Sequence, residues 1–301
     1  GWAESAEIPL HISHLKAAGK RNWGQVEAAM DRIEQARARG LDVTCDVYPY
    51  SAGSTSLTTV LPPWVLEGGI DGALEALRDP AIRRRVVGEL SREADDWDNL
   101  VCSTGWQSIH IATVASEANR SLEGRHIASI ADERGIDPAE CMIDLLLEED
   151  GRISIVYFHM SDDDVKQVVA WDRSLIASDS LHCGEGKPHP RLYGTFPRLF
   201  AKYVRAEKAL TLEQAVRKVT SFPAGRFKLG RRGLLVPGYS ADLVVFDPDR
   251  IQDRADYDNP RQYPDGISHV VVAGAVTLCD GALTGERNGG LIRAGSASHR
   301  A

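Results

Sequence analysis

The chain has 301 residues, 43% hydrophobic and 26% charged, which is enough apolar content to bury a substantial core and too much for a disordered polypeptide. Its formal net charge of −8 argues against nucleic acid as a partner, because that would call for Lys and Arg clustered on one face. No apolar run approaches the roughly 20 residues that cross a bilayer, so no membrane partner is expected. The five cysteines are widely spaced and include no CxxC pair, which suits a reduced, cytoplasmic setting. The chain opens on Gly1 rather than Met and reaches a strand-like segment almost at once, so the natural protein is expected to begin further upstream.

Residues 9–13 (PLHIS) read as a short apolar strand ending at His14, followed by the turn-rich KAAGKRN. Asn22 is expected to cap a helix over 23–39, where Val26, Met30 and Ile33 recur at helical spacing, and Gly40 to stop it. Residues 41–47 are again strand-like. The irregular stretch 51–69 is long for a connection and points to a functional loop. Helices are expected over 72–90, 124–135 and 138–149, and strands over 99–103, 153–158 (ISIVYF) and 174–178 (SLIAS). Ser161 and Asp162 open a helix between the last two strands, and a final helix covers 212–220. Short apolar strands alternating with amphipathic helices predict an α/β fold with a parallel sheet buried on both faces, either a (β/α) barrel or a doubly wound sheet. No GxGxxG follows a strand, so dinucleotide binding has no support. The texture then turns to glycine-punctuated β segments, which divides the chain into a main part, 1–228, and a small β domain, 229–301.

Two strand ends carry candidate chemistry. His14 follows one apolar strand and Asp179 another, and catalytic groups of barrel enzymes gather at such ends. Each also has a structural reading, His14 as an ordinary strand-end residue and Asp179 as a helix N-cap. The segment after Asp179, SLHCGEGKPHPRLYGTFPR, is too rich in Gly and Pro to begin a helix and reads instead as an active-site loop. Within it Arg191 offers a planar cationic fork, and Lys16 a point charge, for an anionic substrate. Tyr48 and Ser54 could donate hydrogen bonds to the same ligand, with Tyr50 a less certain neighbour. His11, on the same strand as His14, could pair with it on a metal or lie lower in the packed core. His159 could be a second ligand, His182 and His189 flank the loop, and Cys45 reads as a small core hydrophobe.

The blocks HISHLKAAGKRNWG, DVTCDVYPYSAGST, LPPW, SDSLHCGEGKPHPRLYGTFPR and GYSADLVVFDP resemble the D-aminoacylase (N-acyl-D-amino-acid deacylase) family of the amidohydrolase superfamily, from about Pro9 almost to the C-terminus. The resemblance implies a TIM-like barrel, partial in this chain, with a small β-sandwich and zinc at the barrel mouth. It makes His14 the metal ligand after the sixth barrel strand and Asp179 the catalytic aspartate after the eighth. Lys16, Tyr48, Ser54 and Arg191 match positions that contact the substrate's carboxylate and its surroundings. The implied reaction is zinc-dependent hydrolysis of small-molecule N-acyl-D-amino acids. A cyclic amidase of the dihydroorotase or hydantoinase type, and an inactive fragment, are the alternatives. The family's HxH pair, cysteine ligand and further histidine would lie upstream of Gly1, no residue here replaces them, and Ser180 stands where relatives commonly have glycine.

Overall fold

In the computed structural model, which describes residues 2–182 and 185–293, the strands gather into three sheets. The first two strands, β1 (Leu10–Ile12) and β2 (Val43–Val47), pair in parallel, with His11 opposite Thr44 and Ile12 opposite Cys45. β3 (Ala52–Ser56), β4 (Ile109–Thr113) and β5 (Ser154–Phe158) form an antiparallel sheet in the order β3-β5-β4. β6 (Ser174–Ile176) returns to the parallel sheet on the free side of β2, with Val47 opposite Ile176. The last four strands, β7 (Leu243–Phe246), β8 (Ile267–Val272), β9 (Ala275–Cys279) and β10 (Ala282–Leu283), make an antiparallel meander.

The parallel sheet is built as its sequence suggests. Val43, Thr44, Cys45 and Val47 are all buried, as expected for a strand covered on both faces. The helices Val26–Ala38 and Asp162–Ala170 supply the cover, and Val26, Val165 and Val168 share one core with Cys45 and Val47. Ser161 caps the second helix by accepting from Asp163 N at 3.2 Å. Cys45 is fully buried, as a core hydrophobe should be.

Several expectations change. Asn22 ends a 3-10 turn, its amide donating to Ala18 O at 2.7 Å, and the helix that follows has no side-chain cap of its own. The amide of Gly24 is met instead by the buried carboxylate of Asp164, at 2.9 and 3.0 Å, from the neighbouring helix. Residues 99–103 are not a strand: Asn99 accepts from Cys102 N at 3.2 Å and caps the short helix Leu100–Thr104. Within 51–69, AGSTS is the strand β3, so ISIVYF belongs to an antiparallel sheet rather than the parallel one. An apolar run carries no information about which partner it will find or in which direction.

The segment expected to stay a loop after Asp179 contains a helix, Arg191–Arg198, running into a π-helical turn, Leu199–Ala206. Pro190 enters it already in a helical conformation (φ −60°, ψ −15°), where the missing N–H costs nothing. Gly194 is required by packing, because a Cβ there would stand 2.6 Å from Tyr50 Oη. Cys183 and Gly184 of the same expected loop lie outside the described residues.

The small C-terminal sheet leaves apolar side chains such as Val244, Val245 and Leu283 exposed. The chain after β7 comes back to the main core, where Ile251 is buried with Phe200 and Val47. No helix among the described residues is long and apolar enough to cross a membrane.

Lys218, on the helix Leu212–Val219, anchors the start of β6. It is fully buried and its ammonium donates to Ser174 O and Ser174 Oγ, each at 3.0 Å, and to Trp171 O. Burial pushes its pKa from the ordinary 10.5 down to about 8, against the pull of Asp172. Between those values the folded chain binds fewer protons than the unfolded one, so stability rises with pH across that window. The expected gain is about 1–3 kcal/mol. Urea midpoints compared between about pH 7 and about pH 10 should rise less in Lys218→Met than in the parent.

Candidate active site

The floor of the site is laid by β2, where Thr44 and Asp46, two residues apart, project to one side of the sheet. His11 on β1 bonds to both, Nδ1 to Thr44 Oγ1 and Nε2 to Asp46 Oδ2, each at 2.8 Å. With both ring nitrogens engaged, His11 is a structural residue and not a partner of His14 on a metal. The other oxygen of Asp46 accepts the amide of His14 at 2.7 Å, fixing where the chain leaves β1. His14 and Asp179, which follow parallel strands, both adopt left-handed backbone conformations, at φ 42° and 48°. Strain of this kind in non-glycine residues is retained where the surroundings hold it, and it gathers at functional sites.

Above this floor, side chains from three elements meet. Lys16 Nζ lies 2.6 Å from His14 Nδ1 and 5.4 Å from the centre of the Tyr48 ring, while the Arg191 guanidinium stands 4.7 Å from that ring. Lys16 is pushed down to about 8, first by burial and then by Arg191, with Asp179 and Asp46 opposing. Burial raises Tyr48 to about 12, so its phenol remains a donor at neutral pH. Arg191, 3% exposed, approaches Asp179 Oδ2 to 2.9 Å through Nη1 and donates from Nη2 to Ser54 O at 3.4 Å. The Nη1 contact is an ion pair by distance only. It lacks hydrogen-bond alignment, and Nη1 keeps an unused donor.

The Arg191 backbone is held by His189, whose Nδ1 accepts Arg191 N at 3.0 Å while Nε2 donates to Ala52 O at 2.9 Å. Burial, reinforced by the Arg191 charge, pushes His189 down to about 3, so the ring is neutral and serves as a bracket between loop and β3. His182 is exposed and takes no part. Tyr50 faces the helix 191–198 rather than the site, with Arg198 over its ring at 4.7 Å.

His14, Lys16, Tyr48, Ser54 and Asp179 line one cavity of about 370 Å³. Five of the six residues singled out in the sequence therefore come together, and Arg191 stands behind the cavity wall against Asp179 and Tyr48. Val60, Trp97 and Val101, from the segment between β3 and β5, and Tyr157 on β5 add apolar surface to the lining, interrupted by the polar side chains of Thr55, Thr59 and Asp98. His159, at the end of β5, also faces the cavity. It stacks on Tyr157 at 5.0 Å, its buried Nδ1 has no partner, and burial together with Lys16 pushes it down to about 4. Gly53 makes room for it: a Cβ there would stand 2.9 Å from His159 Nε2 and 3.3 Å from Tyr48 Oη. The sequence offers His159 as a possible second ligand and gives no role to Asp46 or Gly53. The visible sign of Asp46 was a carboxylate inside a strand, VTCDV, that is otherwise buried.

The imidazoles of His14 and His159 and the Asp179 carboxylate are donors that zinc accepts, and with Nδ1 of His14 taken by Lys16, Nε2 is the nitrogen open to an ion. These residues fit part of a ligand set. Among the described residues they do not close into three donors within 4.8 Å of one another.

The family model described as "Amidohydrolase family" matches residues 10–278. The chain belongs to the amidohydrolase family. It is 34% identical over 286 residues to a D-aminoacylase of Alcaligenes xylosoxydans xylosoxydans, an alignment covering 95% of this chain and 49% of that one. An N-acyl-D-glutamate deacylase of the same organism is 32% identical over 267 residues, covering 89% and 45%. The crystal structure of an N-acyl-D-glutamate deacylase from Bordetella bronchiseptica, complexed with zinc and a phosphonate inhibitor, superposes with a TM-score of 0.71 at 30% identity, covering 91% of this chain and 48% of that one. The chain thus spans about half the length of these amidohydrolase relatives, and its mixed α/β fold is of the amidohydrolase type.

Asp46 is the structural pivot of this amidohydrolase site. Asp46→Ala should lower stability by about 1–3 kcal/mol, because it strands His11 Nε2 and the His14 amide. Asp46→Asn, which keeps an acceptor for that amide, should lose less. Urea midpoints of the two variants check the order.

Proposed function

We propose that this chain carries the substrate-binding and proton-transfer part of an enzyme that hydrolyses N-acyl-D-amino acids to a carboxylate and a free D-amino acid. The observation that carries this reading is the convergence of His14, Lys16, Tyr48, Ser54 and Asp179 on one cavity, with Arg191 against Asp179 and Tyr48. The D-aminoacylase and deacylase relatives support the choice of linear amides over cyclic ones.

The free α-carboxylate of the substrate is assigned to Lys16 and Arg191, with the Tyr48 phenol and Ser54 as neutral donors. Arg191 is suited to this because its fork is buried and Nη1 has a donor to give. Asp179 takes a proton from the attacking water and returns it to the leaving amine as the C–N bond breaks, a base and then an acid in one turnover. Holding the carboxylate and the scissile amide at once fixes which face of the α-carbon is presented, and so selects the D series. His14 and Asp179 are the residues here that would hold zinc, with further donors completing the coordination. Zinc when bound supplies a Lewis acid for the scissile carbonyl and lowers the pKa of water toward neutrality.

In the same reading the parallel strands belong to a (β/α) barrel, with His14 after its sixth strand and Asp179 after its eighth. Residues 1–228 form the barrel portion, joined by the stretch after β7 that packs back on it, and β7–β10 contribute one layer of a β-sandwich. A cytoplasmic setting goes with the widely spaced cysteines.

The test is hydrolysis of N-acetyl-D-methionine, N-acetyl-L-methionine and dihydroorotate, with metal content, by this chain and by a longer polypeptide that contains it. Zinc-dependent cleavage of the D-amide alone supports the assignment, and cleavage of the cyclic substrate alone replaces it with a cyclic amidase. In the active form, Arg191→Lys should raise KM far more than it lowers kcat, since the fork binds substrate and transition state alike. An unchanged KM would remove Arg191 from the carboxylate role.

A further inference from the structure

We propose that the C-terminal sheet carries a separate metal site, made by His269, Cys279 and Asp280, for a borderline divalent cation of the zinc class. The three residues offer one nitrogen, one sulfur and one oxygen atom that all lie within 4.8 Å of one another, and none of them lines the cavity described above.

The sheet itself produces the convergence. His269 on β8 and Cys279 on β9 are direct cross-strand partners. The neighbouring pair carries the ladder bond, Asp280 N donating to Ser268 O at 2.8 Å. His269 and Cys279 therefore occupy a non-hydrogen-bonded position, where opposed side chains approach most closely. Asp280 then leaves β9 in a left-handed conformation, φ 48°, with its carboxylate 4.0 Å from the Cys279 sulfur.

The spacing suits coordination. With a metal–sulfur bond of about 2.3 Å and a metal–nitrogen bond of about 2.0 Å, a tetrahedral angle sets the two donor atoms about 3.5 Å apart. Cys279 Sγ and His269 Nε2 are 3.5 Å apart, and the Asp280 carboxylate, 4.0 Å from the sulfur and within 4.8 Å of the imidazole nitrogen, has to close in on both to complete the triangle. Without an ion the same contact is a thiol donating weakly to the imidazole. Thiolate with imidazole selects zinc, cobalt or copper over magnesium and calcium, which prefer oxygen alone. Cys279 is exposed, so an ion can enter from solvent and a water can take the fourth position. Binding releases the thiol proton, so affinity falls as the pH is lowered.

The experiment titrates the reduced 301-residue chain with Co²⁺ and reads the thiolate-to-metal charge-transfer band in the near ultraviolet, followed by displacement with Zn²⁺. One equivalent should produce the band. Cys279→Ser should abolish it, and His269→Ala and Asp280→Asn should weaken binding by about 10- to 100-fold. Cys102→Ser, Cys183→Ser and His14→Ala should leave the band in place. Far-ultraviolet circular dichroism unchanged in each variant assigns the loss to the ligand rather than to unfolding. A parent chain that gives no band, or a band undiminished in Cys279→Ser, would overturn the proposal.

Discussion

The parallel pairing of β2 with β1 on one side and β6 on the other is the constraint on which the site depends. Parallel strands present their C-terminal ends along one edge, so the residues that follow them meet even when they are far apart in the chain. Here that edge receives His14, Tyr48 and Asp179. The strands are short and the register must hold. Asp46 and Thr44 grip His11 across one seam, and Lys218 grips the beginning of β6 from the helical layer. A slip of one residue would turn His11 and Asp46 away from each other and move the His14 amide off its acceptor.

The cavity is not made by this sheet alone. The segment between β2 and β6 folds around a core of its own, in which Ile109, Ile130, Leu145 and Ile155 are fully buried. Its buried Glu149 is satisfied, accepting from the amides of Ala115 and Ser116 and from Asn119. A unit stabilised in this way can offer Val60, Trp97 and Tyr157 as one wall of the cavity without relying on ligand to order them. The geometry therefore sets charged groups of the strand ends beside a face that is apolar except at Thr55, Thr59 and Asp98.

Electrostatics concentrates at the same place. The chain as a whole is acidic, yet Lys16 and Arg191 are brought together beside Tyr48 and the Asp179 carboxylate. Burial lowers Lys16, His159 and His189 and raises Tyr48, so the neutral groups serve as oriented dipoles and the cations as the counter-charge. Desolvating two cations together is costly. It is offset in part by the aspartates, and an anionic ligand would offset more.

The sequence by itself determined the elements with strong local signals. The helix capped by Ser161, the buried strand around Cys45 and the capping-box helix after Thr211 follow from periodicity and end chemistry that neighbours only reinforce. It also marked His14, Lys16, Tyr48, Ser54, Asp179 and Arg191 through the blocks shared with the D-aminoacylase family. Tertiary structure alone decided which strands pair and in which direction, because the apolar run ISIVYF suits a parallel or an antiparallel ladder equally. It alone showed that Asn99 starts a helix, that Asp164 holds the Gly24 amide in the turn before a neighbouring one, and that Arg191 begins a helix in a segment rich in Gly and Pro. The roles of Asp46 and Gly53 were hidden for the same reason: each depends on a partner more than 30 positions away, and no local pattern records such a contact.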